Sequence, residues 1–199
     1  LVNTENSEQK IMITRQEAME LLKSNVPEEN LIKHSLSTEA VMREIAASLD
    51  KDREVWGLTG LLHDLDYSLT ANDHSQHGVK SSEMLQGSLP DEALRAIRIH
   101  ATEMNGSGTP ETELDFALRC AETVTGLIMA AGLIRPNGLE GMKPKSLKKK
   151  IKDKAFAASV NREIIKEHEK LGLDLDSFLL LSIAAMQSIS REIGFHQPS

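Results

Sequence analysis

The sequence predicts an all-α protein, and three observations carry that expectation. Aromatic residues make up only 3% of the 199 residues, too few for ordinary strand building. Leu, Ala, Glu, Lys and Met abound, and all are good helix formers. No stretch alternates polar and apolar residues with period two, whereas apolar residues recur at spacings of three and four along most of the chain. Hydrophobic residues at 40% and charged residues at 27% fit a globular chain long enough for one core. A single cysteine, Cys120, excludes a disulfide framework within the chain and reads as a small apolar filler. No run approaches 18 apolar residues, so no membrane span is expected.

The elements follow in order. Residues 1–13 read as a flexible tail. Its polar start, Leu1 to Lys10, lacks the apolar centre of a secretory signal, so the cytoplasm is the expected compartment. Thr14 can cap a short helix to about Lys23, which Asn25-Val26-Pro27 interrupts. Pro27 suits the first turn of a helix from about Glu28 to Leu49, striped by Leu31, Thr38, Val41, Ile45 and Leu49. A third helix runs from about Asp52 to Leu62, with Leu58, Leu61, Leu62 and Leu65 on one face. Asp66–Ser75 is a polar loop, and helix resumes over Ser75–Leu85 and Asp91–Ala101. Thr109 and Pro110 form a cap and first-turn pair for a long helix to about Ala131. Gly132, Pro136, Gly138 and Gly141 make a loop before a basic helix over Ser146–Ser159. Asn161 caps a helix to about Leu171, and Asp174 or Asp176 starts the last one, ending near Gly194. Its Phe178-Leu179-Leu180-Leu181 run offers an exposed apolar face for a possible homodimer.

The net charge of −7 argues against broad nucleic-acid binding. The charge is uneven, because Lys143–Lys154 carries seven Lys against one Asp. That run reads as a solvated face, with a phosphate-attracting rim as the alternative.

Titratable residues occupy positions that periodicity assigns to the interior. His34 lies three after Leu31 and seven before Val41. His100 lies three after Ile97, and Glu122 four after Leu118. His63 and Asp64 close a helix beside its leucine stripe. Burying such groups is costly unless they are paired or hold a cation. Pairing stays open at two of them: Glu122 could instead meet Arg119, and His100 could be a structural residue at a helix end. His168 and His196 stand apart and read as surface residues.

The segments LIKHSLSTEAVMREIA, WGLTGLLHDLDY, HGVKSSEML, AIRIHATE and AETVTGLI together resemble the HD-domain metal-dependent phosphohydrolases. The resemblance covers roughly residues 28–130 and implies an HD-type helical bundle, with the helices over 146–194 as a C-terminal appendage in one domain, 14–199. The extra histidines resemble the branch with a second metal position, which includes diadenosine tetraphosphate hydrolases and cyclic dinucleotide phosphodiesterases. By that resemblance His34, His63 and Glu122 hold one metal, His77 and His100 a second, and Asp64 bridges them. The family's final Asp falls at Glu122 here, longer by a methylene.

One or two divalent ions are implied, and the His and carboxylate donors suit Mn, Fe, Zn or Ni, with Mg also admitted. Such ions acidify water and neutralise phosphoryl oxygens. The implied substrate is a small phosphorylated molecule, a nucleotide in particular. Lys80, one turn after His77, is a candidate to touch a phosphate oxygen, and Asp66 and His74 are candidates to hold the ligands from behind. The alternative function is a degenerate HD module that binds metal or nucleotide as a sensor.

Overall fold

A computed structural model describes residues 12–195, which form helices and turns with no strand among the described residues. The helices are α1 (Arg15–Asn25), α2 (Glu29–Ser48), α3 (Arg53–Leu62), α4 (Val79–Met84), α5 (Asp91–Ile99), α6 (Thr102–Asn105), α7 (Glu113–Leu133), α8 (Pro144–Lys152), α9 (Arg162–Lys166) and α10 (Leu175–Ser188). Short 3-10 turns cover His74–Gln76 and Glu167–Leu171. The proposed tail falls outside the described residues as far as residue 11. Met12 and Ile13 pack on the core, and the Ile13 amide donates to Ser88 O at 3.0 Å.

Local chemistry explains most boundaries. Thr14 and Glu17 form a reciprocal capping box at the start of α1. Asp52 accepts from the amides of Glu54 and Val55 to open α3. Every residue of α3 from Val55 to Leu62 is buried. Two glycines let this helix lie close to its neighbours, since a Cβ at Gly60 would sit 3.0 Å from the Thr38 carbonyl oxygen. The α2–α3 loop is short, so the two helices run antiparallel. His34 and His63 lie roughly four and three turns from that loop, and so meet at the same end of the pair.

α7 is the central helix, packed against α2, α3, α5, α8, α9 and α10. It is 21 residues long and apolar enough by length and composition to cross a membrane, but two thirds of its most apolar stretch is buried against these neighbours.

Several boundaries differ from the sequence reading. α7 is capped by Thr112 with Asp115, not by Thr109, because the Asp115 carboxylate accepts from the Glu111 and Thr112 amides and pairs with Arg95. The Ser75–Leu85 helix is broken at Gly78, whose φ of 77° belongs to the left-handed region. α8 begins with Pro144 in its first turn and ends at Lys152, where the chain turns at Asp153. α10 ends at Ser188, and turns continue to Gly194. The expected exposed run on α10 fails at three of its four residues: Phe178 and Leu179 are fully buried, Leu181 packs on the core, and Leu180 alone of the four is exposed. His168 is also buried rather than superficial, with Nδ1 donating to Leu173 O at 2.8 Å and its ring stacked on Phe178. His196 lies outside the described residues. Cys120 is buried, as a small filler should be.

Candidate metal centre

Four imidazoles converge on one carboxylate. His63 Nε2 lies 3.2 Å from Asp64 Oδ1, and His77 and His100 Nε2 each lie 3.3 Å from the same oxygen. His34 Nε2 approaches the other oxygen, Oδ2, at 3.7 Å. Ring centroids are 4.9–5.2 Å apart from His34 to His63, His63 to His100 and His100 to His77. The five side chains come from four places: His34 from α2, His63 and Asp64 from the end of α3, His77 from just before α4, and His100 from the end of α5.

The outward nitrogens decide what the inward ones are. His63 Nδ1 donates to Gly60 O at 2.8 Å and His100 Nδ1 to Ile97 O at 2.6 Å. His77 Nδ1 donates to Asp66 Oδ1 at 2.8 Å. Carbonyls and carboxylates only accept, so each Nδ1 carries the hydrogen. Thr125 Oγ1 gives its own hydrogen to Glu122 O and so faces His34 Nδ1, at 3.4 Å, as an acceptor. In neutral imidazoles every Nε2 is then a lone pair aimed at an oxygen lone pair. Such a set is repulsive unless protons or cations lie between.

The residues fit a metal. Two donors about 2.1 Å from a common ion stand roughly 3.0–3.4 Å apart at right-angle to tetrahedral openings, which matches the spacings of His63, His77 and His100 to Asp64, while His34 at 3.7 Å stands a little wider. His63 Nε2 is buried and has no hydrogen-bond partner among the described residues. Burial lowers the His63 pKa to about 3, with Asp64 only partly offsetting it, so this nitrogen stays a free lone pair at neutral pH. Two donor groups are compact enough for one ion each: His34 with His63 and Asp64, and Asp64 with His77 and His100. Asp64 belongs to both. Burial opposes its charge, but the imidazoles around it, His63 foremost, hold its carboxyl well below the usual range.

Comparison with known protein families matches residues 31–155 to the HD domain. The chain belongs to the HD domain family. That family is generally one of metal-dependent hydrolases, with some degenerate members. No curated protein and no solved structure matches the chain.

Within this HD domain the remaining expected site residues divide. Asp66 is fully buried behind His77 and also accepts from the Ser81 amide at 2.9 Å, so it orients that ring. Glu122 lines the same cavity but falls outside both compact donor groups, and its Oε1 accepts from the Thr123 hydroxyl at 2.6 Å. Burial raises its pKa against the pull of His34. Arg119 is not its partner: that guanidinium binds Glu103 and Glu167 instead. Lys80 and His74 are not brought to the site; both are exposed and absent from the cavity lining, and Lys80 lies near Asp73. One turn of separation from His77 was a poor guide because Gly78 breaks the helix between them.

The sequence reading missed the scaffolding. Gly78 permits the chain to cross the His100 ring, where a Cβ would stand 2.7 Å from Ile97 O and 3.1 Å from the ring. Asn105 Nδ2 donates to His77 O at 2.6 Å and Arg98 O at 2.9 Å, tying together the segments that carry His77 and His100. Arg119 donates to His100 O at 2.9 Å. The glycine after His77 was a readable signal; Asn105 and Arg119 had none.

The cavity over these ligands encloses about 510 Å³, within the usual span for a small-molecule site. Its polar end carries Asp64, His34, His77, His100 and Glu122, and its apolar walls include Leu31, Tyr67, Met104, Val160 and Ile164.

Proposed function

We propose that this HD domain is a metal-dependent phosphohydrolase acting on a small phosphorylated metabolite, a nucleotide by preference. The observation that carries the reading is the convergence of His63, His77 and His100 Nε2 on Asp64 Oδ1, with no hydrogen-bond partner for His63 Nε2 among the described residues. His34, His63 and Asp64 would hold one divalent ion, and Asp64, His77 and His100 a second. Bound there, the ions supply an acidified water and charge neutralisation for phosphoryl oxygens.

The chain's own residues do the rest. Gly60 O, Ile97 O and Asp66 fix three ring orientations by accepting from Nδ1. Asp64 presents one oxygen to three rings and the other to His34, which is what a shared ligand must do. Glu122, with its pKa raised at the cavity edge, is placed to exchange a proton with a reacting group. The apolar walls of Leu31, Tyr67 and Val160 suit an organic body attached to the phosphate, and a nucleoside fits the volume.

The test is metal content and turnover together. Protein reconstituted with Mn(II) should retain metal through desalting and hydrolyse nucleoside monophosphates, and Asp64→Ala should lose both. Negligible retained metal with no hydrolysis overturns the proposal. The position of Glu122 outside both donor groups favours a second reading, a degenerate module that binds without turning over. Retained metal and nucleotide binding with no hydrolysis would select it.

A further inference from the structure

The two donor groups are not alike. The side chains of His63, His77 and His100 are sealed into the core, at 1%, 5% and 4% exposed, whereas His34 is 24% exposed. The contrast repeats behind the rings. Gly60 O, Asp66 Oδ1 and Ile97 O accept from Nδ1 of His63, His77 and His100 at 2.8, 2.8 and 2.6 Å. Asp66 is fixed in turn, because its other oxygen accepts from the Ser81 amide and its own amide donates to Ser81 Oγ. The group behind His34 is the Thr125 hydroxyl, a long 3.4 Å away, with its hydrogen given to Glu122 O.

Space also lies beside the His34 ring. The residue borders the cavity over the cluster and a separate hollow of about 280 Å³ lined by Ser37, Thr125, Met129 and Leu133. Its Nε2 stands farthest from Asp64, at 3.7 Å. Glu122, the acid that could add a donor on this side, lies outside the compact group, with Oε1 engaged by the Thr123 hydroxyl. A ligand held from behind by a strong acceptor is oriented before the ion arrives and is the more basic for it. A ligand without such support must be ordered by the ion, which costs affinity.

We infer that the two ion positions are unequal: the one formed by Asp64, His77 and His100 fills first, and the one that His34 completes is looser and exchanges its ion. This rests on the metal-binding part of the reading above and not on hydrolysis. In dilute metal the protein then holds a single divalent ion, on the side of Asp64 away from His34. The second position fills only as the metal concentration rises.

The experiment is equilibrium dialysis of metal-stripped protein against rising Mn(II), with bound metal counted by elemental analysis, for the parent, His34→Asn and Asp66→Asn. His77→Gln reports on the same position as Asp66→Asn if the latter fails to fold. The parent should bind a first equivalent at least about tenfold more tightly than a second. His34→Asn should leave the first within about twofold of the parent and abolish the second, whereas Asp66→Asn should weaken the first about 10–100-fold. Two equivalents of equal affinity, a first equivalent that His34→Asn removes, or one indifferent to both variants overturns the inference while the metal centre stands. A parent that binds a single equivalent supports the inference if Asp66→Asn weakens that equivalent and His34→Asn does not, and overturns it otherwise. A parent that binds no Mn(II) overturns the metal centre and this inference with it. Turnover is not a readout here, so failure to hydrolyse a nucleotide bears on the hydrolase reading alone.

Discussion

Replacing Arg119 with Met removes a buried guanidinium that ties three parts of the chain together. Its Nε and Nη2 donate to Glu167 at 2.8 and 2.7 Å, Nη1 and Nη2 to Glu103 at 3.0 and 2.6 Å, and Nη1 to His100 O at 2.9 Å. The Glu103 side chain is 49% exposed, so its share is at most about 1 kcal/mol. The His100 carbonyl loses a donor, and Glu167, 22% exposed, loses its countercharge, at about 1–3 kcal/mol each. Breaking a fully buried pair sets the upper range at about 3–5 kcal/mol, and about 3 kcal/mol is expected here. For a domain of this size each kcal/mol moves Tm by roughly 2–4 °C, so Arg119→Met should melt roughly 6–12 °C lower by calorimetry. Much of that loss is the penalty of a stranded carboxylate. The double variant Arg119→Met, Glu167→Gln should therefore recover part of it. A single variant within about 2 °C of the parent, or a double variant no better than the single, would refute the reasoning.

Three further outcomes follow from the site. Asp66→Asn keeps the volume but weakens the acceptor for His77 Nδ1, and metal affinity by competition titration should drop about 10–100-fold; an unchanged affinity would show that Asp66 does not orient the ring. In chelator-treated protein, burial works against a charged His77, but Asp64 and Asp66 outweigh it and raise the pKa from 6.5 to about 10. A raised folded pKa gives stability that is complete below the unfolded value and lost as pH climbs from 6.5 to about 10; denaturant titrations should show this slope, and His77→Gln should flatten it. Burial pushes the Cys120 thiol up, so iodoacetamide at neutral pH should label it only after unfolding, and rapid labelling of folded protein would contradict the core placement.

Helix periodicity and turn residues carried most of the fold, because burial of one helix face leaves its record in the spacing of apolar residues. The histidines at 34, 63 and 100 and Asp64 stood out for the same reason, as polar groups on faces that periodicity assigns to the interior, whereas His77 came only with the HD-domain resemblance. What stayed hidden was anything set by three-dimensional neighbours. Lys80 was misplaced because one glycine, Gly78, turns the chain by a left-handed residue. His168 was read as superficial because its interior setting comes from a 3-10 turn that stacks it on Phe178. The basic helix was drawn too long, since nothing in its charge pattern marks the stop at Asp153. Glu122 was read as a ligand of the first metal; it lines the cavity but falls outside both compact donor groups, a difference of side-chain reach that spacing along one helix cannot carry.

The family match stops at residue 155, yet Ser159, Val160, Asn161 and Ile164 wall the cavity. The wall over the imidazoles is thus shared, with Leu31, Tyr67 and Met104 from the matched segment and these four residues from beyond it. Exchange of the terminal stretch between kindred proteins would reshape part of that wall and leave the imidazole cluster in place. A ligand sought from the matched segment alone would be fitted to an incomplete wall.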